Sequence, residues 1–265
     1  MEKGLCIRDT KAGWGVDKAE KLADLIAAEK QRPDADEMAI RIGEAVLAAY
    51  CSEKAAKGED ARIQTVRAKI AENGLQSEHP ECGGRLLLRK EEMLQDENVE
   101  RLFLTRHSVR DFSDTPVDPA KLERAVTLAL RAPSACNRQA TQIYVIDGKD
   151  REKAGSVNEY HADKYLIITG NMGAFDLSEL NDWIVSTSVF CGYLSLALHA
   201  EGIGSCIYRK EIVRSSKYND RMRALCRIPK DEQIILEMAI GNYRDEFSVP
   251  VSYRRKAEEI IHYIG

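Results

Sequence analysis

Residues Asp182–Tyr208 read DWIVSTSVFCGYLSLALHAEGIGSCIY, and this stretch decides the architecture. From Trp183 to Ala200 no side chain is charged apart from the titratable His199. The run carries Ser186, Thr187, Ser188, Ser195 and His199, and so falls short of the ~20 mostly apolar residues that a membrane span needs. A helix from Asp182 to Ala200, buried in protein, is the expectation. Gly202-Ile203-Gly204 then breaks the helix, and Ser205–Tyr208 reads as a strand. The same alternation extends outward on both sides. Asp118-Pro119 is a cap followed by proline at the first helical position, opening a helix to about Arg131 with Leu122, Ala125, Val126, Ala129 and Leu130 as its apolar positions. Gln142–Ile146, Tyr165–Thr169 and Ile234–Ile240 read as further strands.

The first hundred residues differ. Apolar positions at helical spacing predict helices over 16–31 and 35–56, with Asp17 and Asp34 as caps. A third is predicted over about 59–72, ending at Asn73-Gly74, with loop from 74 to 85. The expected organisation is a helical N-terminal extension over 1–98 and a mixed domain over 99–265.

Bulk properties exclude several classes. With 265 residues, 44% hydrophobic and 31% charged, the chain has an ordinary globular composition, not a disordered or fibrous one. A net charge of −4 lacks the basic excess of a nucleic-acid binder. Seven widely spaced cysteines without a CxxC pair fit free thiols in a reducing compartment, and the N-terminus shows no apolar signal segment, so a cytoplasmic protein is expected. His79 and Cys82 have no second pair at ligand spacing, so no metal site is expected. No Walker loop or GxGxxG is present.

Three clusters could carry chemistry. Arg106-His107-Ser108-Val109-Arg110-Asp111-Phe112 packs two guanidinium groups and a hydroxyl into five residues, a density suited to an anionic ligand but also to a solvated turn. Ala132-Pro133-Ser134-Ala135-Cys136-Asn137-Arg138-Gln139 brings two amides that each donate and accept, as the edge of a heterocycle requires. Pro250-Val251-Ser252-Tyr253-Arg254-Arg255-Lys256 adds a late basic group before an expected terminal helix.

Together these clusters resemble the FMN-dependent nitroreductase family over about residues 100–265. Its Arg-[Arg/His]-Ser-x-[Arg/Lys]-x-Phe segment matches Arg106–Phe112, and its Ala-Pro-Ser-x-x-Asn-x-Gln turn matches Ala132–Gln139. The uncharged helix followed by Gly-Ile-Gly-Ser-Cys matches Asp182–Ala200 with Gly202–Cys206, and the late Ser-x-Arg matches Ser252 and Arg254. The resemblance implies an α+β fold, with a mostly antiparallel central sheet flanked by helices, forming an intertwined homodimer with the Asp182–Ala200 helix at its centre. It implies FMN as cofactor, NAD(P)H as reductant and an organic acceptor such as a nitroaromatic or quinone, without nucleic acid or membrane as partners. Arg106, Ser108 and Arg254 would hold the FMN phosphate and ribityl chain, with His107 beside them. Arg110 would reach the pyrimidine edge as an electrostatic stabiliser. The turn with Pro133, Ser134, Asn137 and Gln139 would come from the second subunit, and Ser205–Lys210, including Cys206, would pass N5. No protein acid or base is assigned.

Ala140-Thr141 stands where many relatives have Pro-Trp, and the connection from Ile146 to Asp182 is shorter than the lid-forming excursion common among them. The N-terminal helices are therefore expected to modify access to the site. The alternative reading is a flavin-binding or interaction protein without NAD(P)H-driven turnover. A redox role for Cys136 or Cys206 is weighed against inert packing, and His199 and His262 read as structural.

Overall fold

The computed structural model describes residues 1, 5, 13–56, 61–85, 97–158, 160–209, 216–247, 249 and 254–264. Its chain divides into two compact units, Met1–Leu94 and Gln95–Gly265.

The first unit holds α1 (Val16–Lys30), α2 (Glu37–Ala56) and α3 (Ile63–Glu72). Val16, Ala19, Ala23 and Ile26 of α1 bury against Leu47 and Tyr50 of α2 and Ile63 and Val66 of α3, the faces that helical spacing singles out. Gly43 lets α1 and α2 approach, since a Cβ there would lie 2.7 Å from Ile26 Cδ1. The caps differ from the expectation. Asp17 lies inside the first turn of α1, behind a left-handed Gly15. Asp36, not Asp34, caps α2, its Oδ1 accepting from the amides of Met38 and Ala39 at 3.0 Å. Asp34 is instead engaged by Arg32 at 3.0 Å, and that local pair removes it from competition for the helix end.

The second unit opens with α4 (Glu97–Thr105) and α5 (Pro119–Ala129), whose first amides are met by Asp118 at 2.8 Å. Then come β1 (Thr141–Asp147), β2 (Lys164–Asn171), α6 (Asp182–Ala200), β3 (Ile203–Tyr208), α7 (Ser216–Cys226) and β4 (Glu232–Asn242). The four strands form one antiparallel sheet in the order β1-β2-β4-β3. Tyr165–Gly170 and Ile234–Gly241 are buried throughout, as expected for central strands covered on both faces. On one face Leu166, Ile168, Met238 and Ile240 pack against Leu122 and Ala125 of α5 and Phe190, Leu194 and Leu198 of α6. On the other, Tyr165, Ile167 and Ala239 meet Tyr218 and Met222 of α7. This is the α+β arrangement expected.

By length and composition α6 is apolar enough to cross a membrane, yet one of its faces lies in the core of this unit. Its other face presents Val185 and Tyr193, which are 58% and 45% exposed. The terminal helix does not form: a single 3-10 turn, Ala257–Glu259, precedes exposed Ile260, Ile261, Tyr263 and Ile264. So short a helix with no apolar face to bury cannot sustain itself.

The α7 face contains a buried ion pair. Arg151, 1% exposed, donates to Glu237 at 3.1 Å and to the Val157 carbonyl at 2.6 Å. Its guanidinium lies 4.7 Å from the Tyr165 ring centroid and 4.8 Å from that of Tyr208, and the Tyr218 hydroxyl donates to Glu237. Burial works against the arginine charge, and the Glu237 carboxylate more than reverses it, so the guanidinium stays protonated. Arg151→Met strands a carboxylate in the core and is expected to cost about 3–5 kcal/mol in urea unfolding, with most of that loss recovered in Arg151→Met/Glu237→Gln. A single variant within about 0.5 kcal/mol of the parent overturns this account.

Candidate functional site

The first cluster is carried to the sheet by its own apolar residues. After α4 the chain runs along the free edge of β3, where Ser108 forms a parallel bridge with Ser205 and the Val109 amide donates to the Ser205 carbonyl at 3.0 Å. Val109 and Phe112 are buried, while Arg110 is exposed and Arg106, His107 and Ser108 are half-buried. Phe112 lies against two glycines that face each other in the β3–β4 ladder, Gly204 and Gly241. A Cβ on Gly241 would fall 2.7 Å from Phe112 Cβ and Cγ, and one on Gly204 would fall 3.2 Å from the ring. Ser113 donates to the Asn242 carbonyl at 2.9 Å, and the Asn242 side chain donates to the carbonyls of Thr115 and Pro116 at 3.1 and 2.9 Å. Arg106, Ser108 and Arg110 are thus presented from a segment fixed at both ends.

The end of α6 and the end of β4 meet the same segment. His199 bonds Tyr243 Oη through Nδ1 at 2.6 Å and Thr105 Oγ1 through Nε2 at 2.8 Å. Thr105 spends its proton on the Arg101 carbonyl at 2.7 Å, so it accepts from the histidine. Burial, then the charges of Arg106 and His107, hold His199 below its usual pKa of 6.5. Cys206, buried beside Ser205, is pushed upward by burial against the pull of Arg110 and Arg106. Cys191, in the middle of α6, is pushed up to about 12 by burial alone. Both thiols stay protonated and inert at neutral pH.

The second cluster is rigid by other means. Cys136, Asn137 and Gln139 have φ of 52°, 56° and 49°, left-handed values that cost free energy for residues with a Cβ. The loop is held by Ser134 Oγ accepting from the Gln139 amide at 3.2 Å, by the Ala135 amide donating to Ser186 Oγ at 3.2 Å, and by Arg138 on Glu179 at 2.9 Å. Pro133, Asn137 and Gln139 are exposed. Ser186 lies near the start of α6 and His199 at its end, so at ~1.5 Å per residue the two clusters stand about 20 Å apart along the helix. The structure therefore joins Arg106, His107, Ser108, Arg110, Ser205 and Cys206, and places the Pro133–Gln139 loop elsewhere. Arg254 is exposed on the C-terminal stretch; Pro250, Ser252 and Lys210 lie outside the described residues.

Sequence reading missed His199 and Tyr243. A lone histidine on an apolar helix carries no local signal of its partners, which lie on α4 and at the end of β4.

The donor set at the β3 edge, planar guanidinium groups and a hydroxyl on a fixed backbone, fits a phosphate. The nitroreductase family model matches residues 104–167, so the resemblance read from the motifs is borne out. Solved structures share the fold. A protein described as a nitroreductase, in complex with FMN, from Desulfovibrio desulfuricans is 18% identical, with a TM-score of 0.54 over 64% of this chain and 99% of that one. A protein described as an NADH dehydrogenase/NAD(P)H nitroreductase, from Parabacteroides distasonis, is 19% identical, with a TM-score of 0.53 over 64% and 99%. An FMN-dependent nitroreductase from Clostridium difficile is 22% identical, with a TM-score of 0.50 over 61% and 96%.

Gly241→Ala forces Phe112 off its seat and is expected to destabilise the protein by about 1–3 kcal/mol. Equal urea midpoints for variant and parent would show that the seat yields freely. In timed alkylation followed by mass spectrometry, exposed Cys136 is expected to react well before Cys191 and Cys206. Simultaneous labelling of all three would contradict the burial described.

Proposed function

We propose that this chain, whose residues 104–167 match the nitroreductase family, is an FMN-dependent oxidoreductase that takes reducing equivalents from NAD(P)H and passes them to an organic acceptor. The observation that carries this reading is the cation and hydroxyl cluster pinned to the β3 edge by Val109 and Phe112. Bound FMN supplies the two-electron chemistry, and the protein binds and orients it. In this reading Arg106 and Ser108, with His107 beside them and Arg254 arriving from the C-terminal stretch, hold the phosphate. Arg110 stands at the pyrimidine edge as a fixed positive charge. The backbone of Ser205 and Cys206 would pass the flavin ring, while their buried hydroxyl and thiol would stay out of the reaction.

The reading also requires a homodimer. One chain holds its two clusters at opposite ends of α6, too far apart for a single flavin. Two copies with their α6 helices antiparallel bring the Pro133–Gln139 loop of one to the β3 edge of the other. Val185 and Tyr193 on the outward face of α6 support such a contact. The free thiols of Cys82, Cys136, Cys191, Cys206 and Cys226 suit a reducing compartment, in keeping with a cytoplasmic enzyme.

The purified protein is expected to be yellow, to bind FMN and not FAD, and to oxidise NAD(P)H with a quinone or nitroaromatic. Arg106→Ala and Arg254→Ala should each weaken FMN binding by about 1.5–3 kcal/mol, roughly 10- to 150-fold. Failure to take up added FMN sinks the reading. Binding without NADH or NADPH oxidation, across a panel of acceptors, leaves only a flavin-binding role.

A further inference from the structure

His199 lies on the helix that leads to the proposed site and has no role in the flavin reading, yet it is bonded to both segments that frame the first cluster. Its two bonds set its protonation. Thr105 Oγ1 has given its only proton to the Arg101 carbonyl, so Nε2 must carry hydrogen; Tyr243 Oη then donates to a bare Nδ1. The neutral Nε2–H tautomer satisfies both bonds together.

The groups facing it explain that state. From the segment after α4 come Arg106 and His107; from α4 itself, Thr105; from the end of β4, Tyr243. On its own helix end, Glu201 is taken by Arg124 at 2.9 Å. Arg106 and His107 therefore disfavour a further positive charge, and no carboxylate among the described residues facing His199 is placed to offset them. A dianion seated on Arg106 and Ser108 reverses that balance.

We infer that His199 is a proton-linked member of the anion site: when a phosphate seats against Arg106 and Ser108, Nδ1 of His199 takes a proton from solvent and adds a positive charge behind them. The inference rests on the proposed placement of the phosphate. The added proton comes from solvent, and the half-buried Tyr243 hydroxyl turns its own hydrogen toward water. Nε2–H keeps its bond to Thr105, the new Nδ1–H donates to Tyr243 Oη, and the tyrosine hydroxyl turns from donor to acceptor. Burial, followed by the charges of Arg106 and His107, gives His199 the lowered pKa from which that change starts.

Nuclear magnetic resonance titration of the 15N-labelled imidazoles in the full-length protein tests this, with His199→Gln used to assign the signal. FMN is expected to move the His199 midpoint upward by on the order of one pH unit, the effect of an opposite charge nearby. Inorganic phosphate at saturation should move it in the same direction, and riboflavin, which lacks the phosphate, should leave it in place. By linkage, the FMN affinity of the parent relative to His199→Gln should rise by up to about 10-fold as pH falls through the two midpoints. Titration of the phosphate itself is common to both proteins and cancels in that ratio. FMN binding with an unmoved His199, or an equal shift with riboflavin, overturns the inference and leaves the flavin reading intact. A shift with inorganic phosphate but no FMN uptake upholds the proton linkage and removes the flavin reading. Absence of binding by either anion overturns both.

Discussion

The seat of Phe112 on the facing glycines Gly204 and Gly241 is the contact on which the rest of the second unit's chemistry depends. Two side chains are missing at paired positions of neighbouring strands, and the aromatic ring occupies the space they vacate. That single fit couples three distant pieces of chain: the motif 106–112, the strand that follows α6, and the strand that ends at Asn242. With the ring in place, Val109 completes the edge of β3, and the intervening polar residues have no freedom to turn inward. The arginines and Ser108 are held outward because their neighbours are buried, so the clustering of these polar groups is a by-product of apolar packing.

Electrostatics divides the sheet into two kinds of environment. On the α7 face a full charge pair, Arg151 with Glu237, is sealed among tyrosine rings and neutralised within itself. At the β3 edge Arg106 and Arg110 have no carboxylate partner of that kind among the described residues, and the field they create is felt by His199, Cys206 and Tyr243. A charge compensated internally holds structure; one left uncompensated at a rim is available to a ligand.

Much of this was legible in the sequence, for physical reasons. β2 and β4 are buried on both faces and read as apolar runs, interrupted in β4 by Glu237. α6 announces itself by lacking charge after Asp182, and Asp118-Pro119 marks the start of α5. Where several short-range options compete, composition gives less. Asp34 and Asp36 are equally good caps on paper, and Arg32 decides between them by engaging the first. Ile260, Ile261 and Ile264 have helical spacing, but spacing cannot say whether a surface exists to receive them. Arg151 sits in a charged stretch, Gly148–Ala154, that looks solvated, and only the tertiary pairing with Glu237 shows otherwise. The motifs pointed to residues that the fold brings together at the β3 edge, while the histidine that ties their surroundings together had no local signature.

The order of strands in the sheet has a consequence for how the protein is made. β2 lies between β1, its neighbour in sequence, and β4, which begins only after residues 172–231 have been added. At a synthesis rate of 5–20 residues per second, β2 therefore waits for several seconds with one edge paired and the other open. Its residues Leu166-Ile167-Ile168-Thr169 are strongly strand-forming and uncharged, the kind of edge that recruits a neighbouring chain. α6 emerges within that interval, and by covering one face of the unfinished sheet it shields the nascent chain until the central ladder can close.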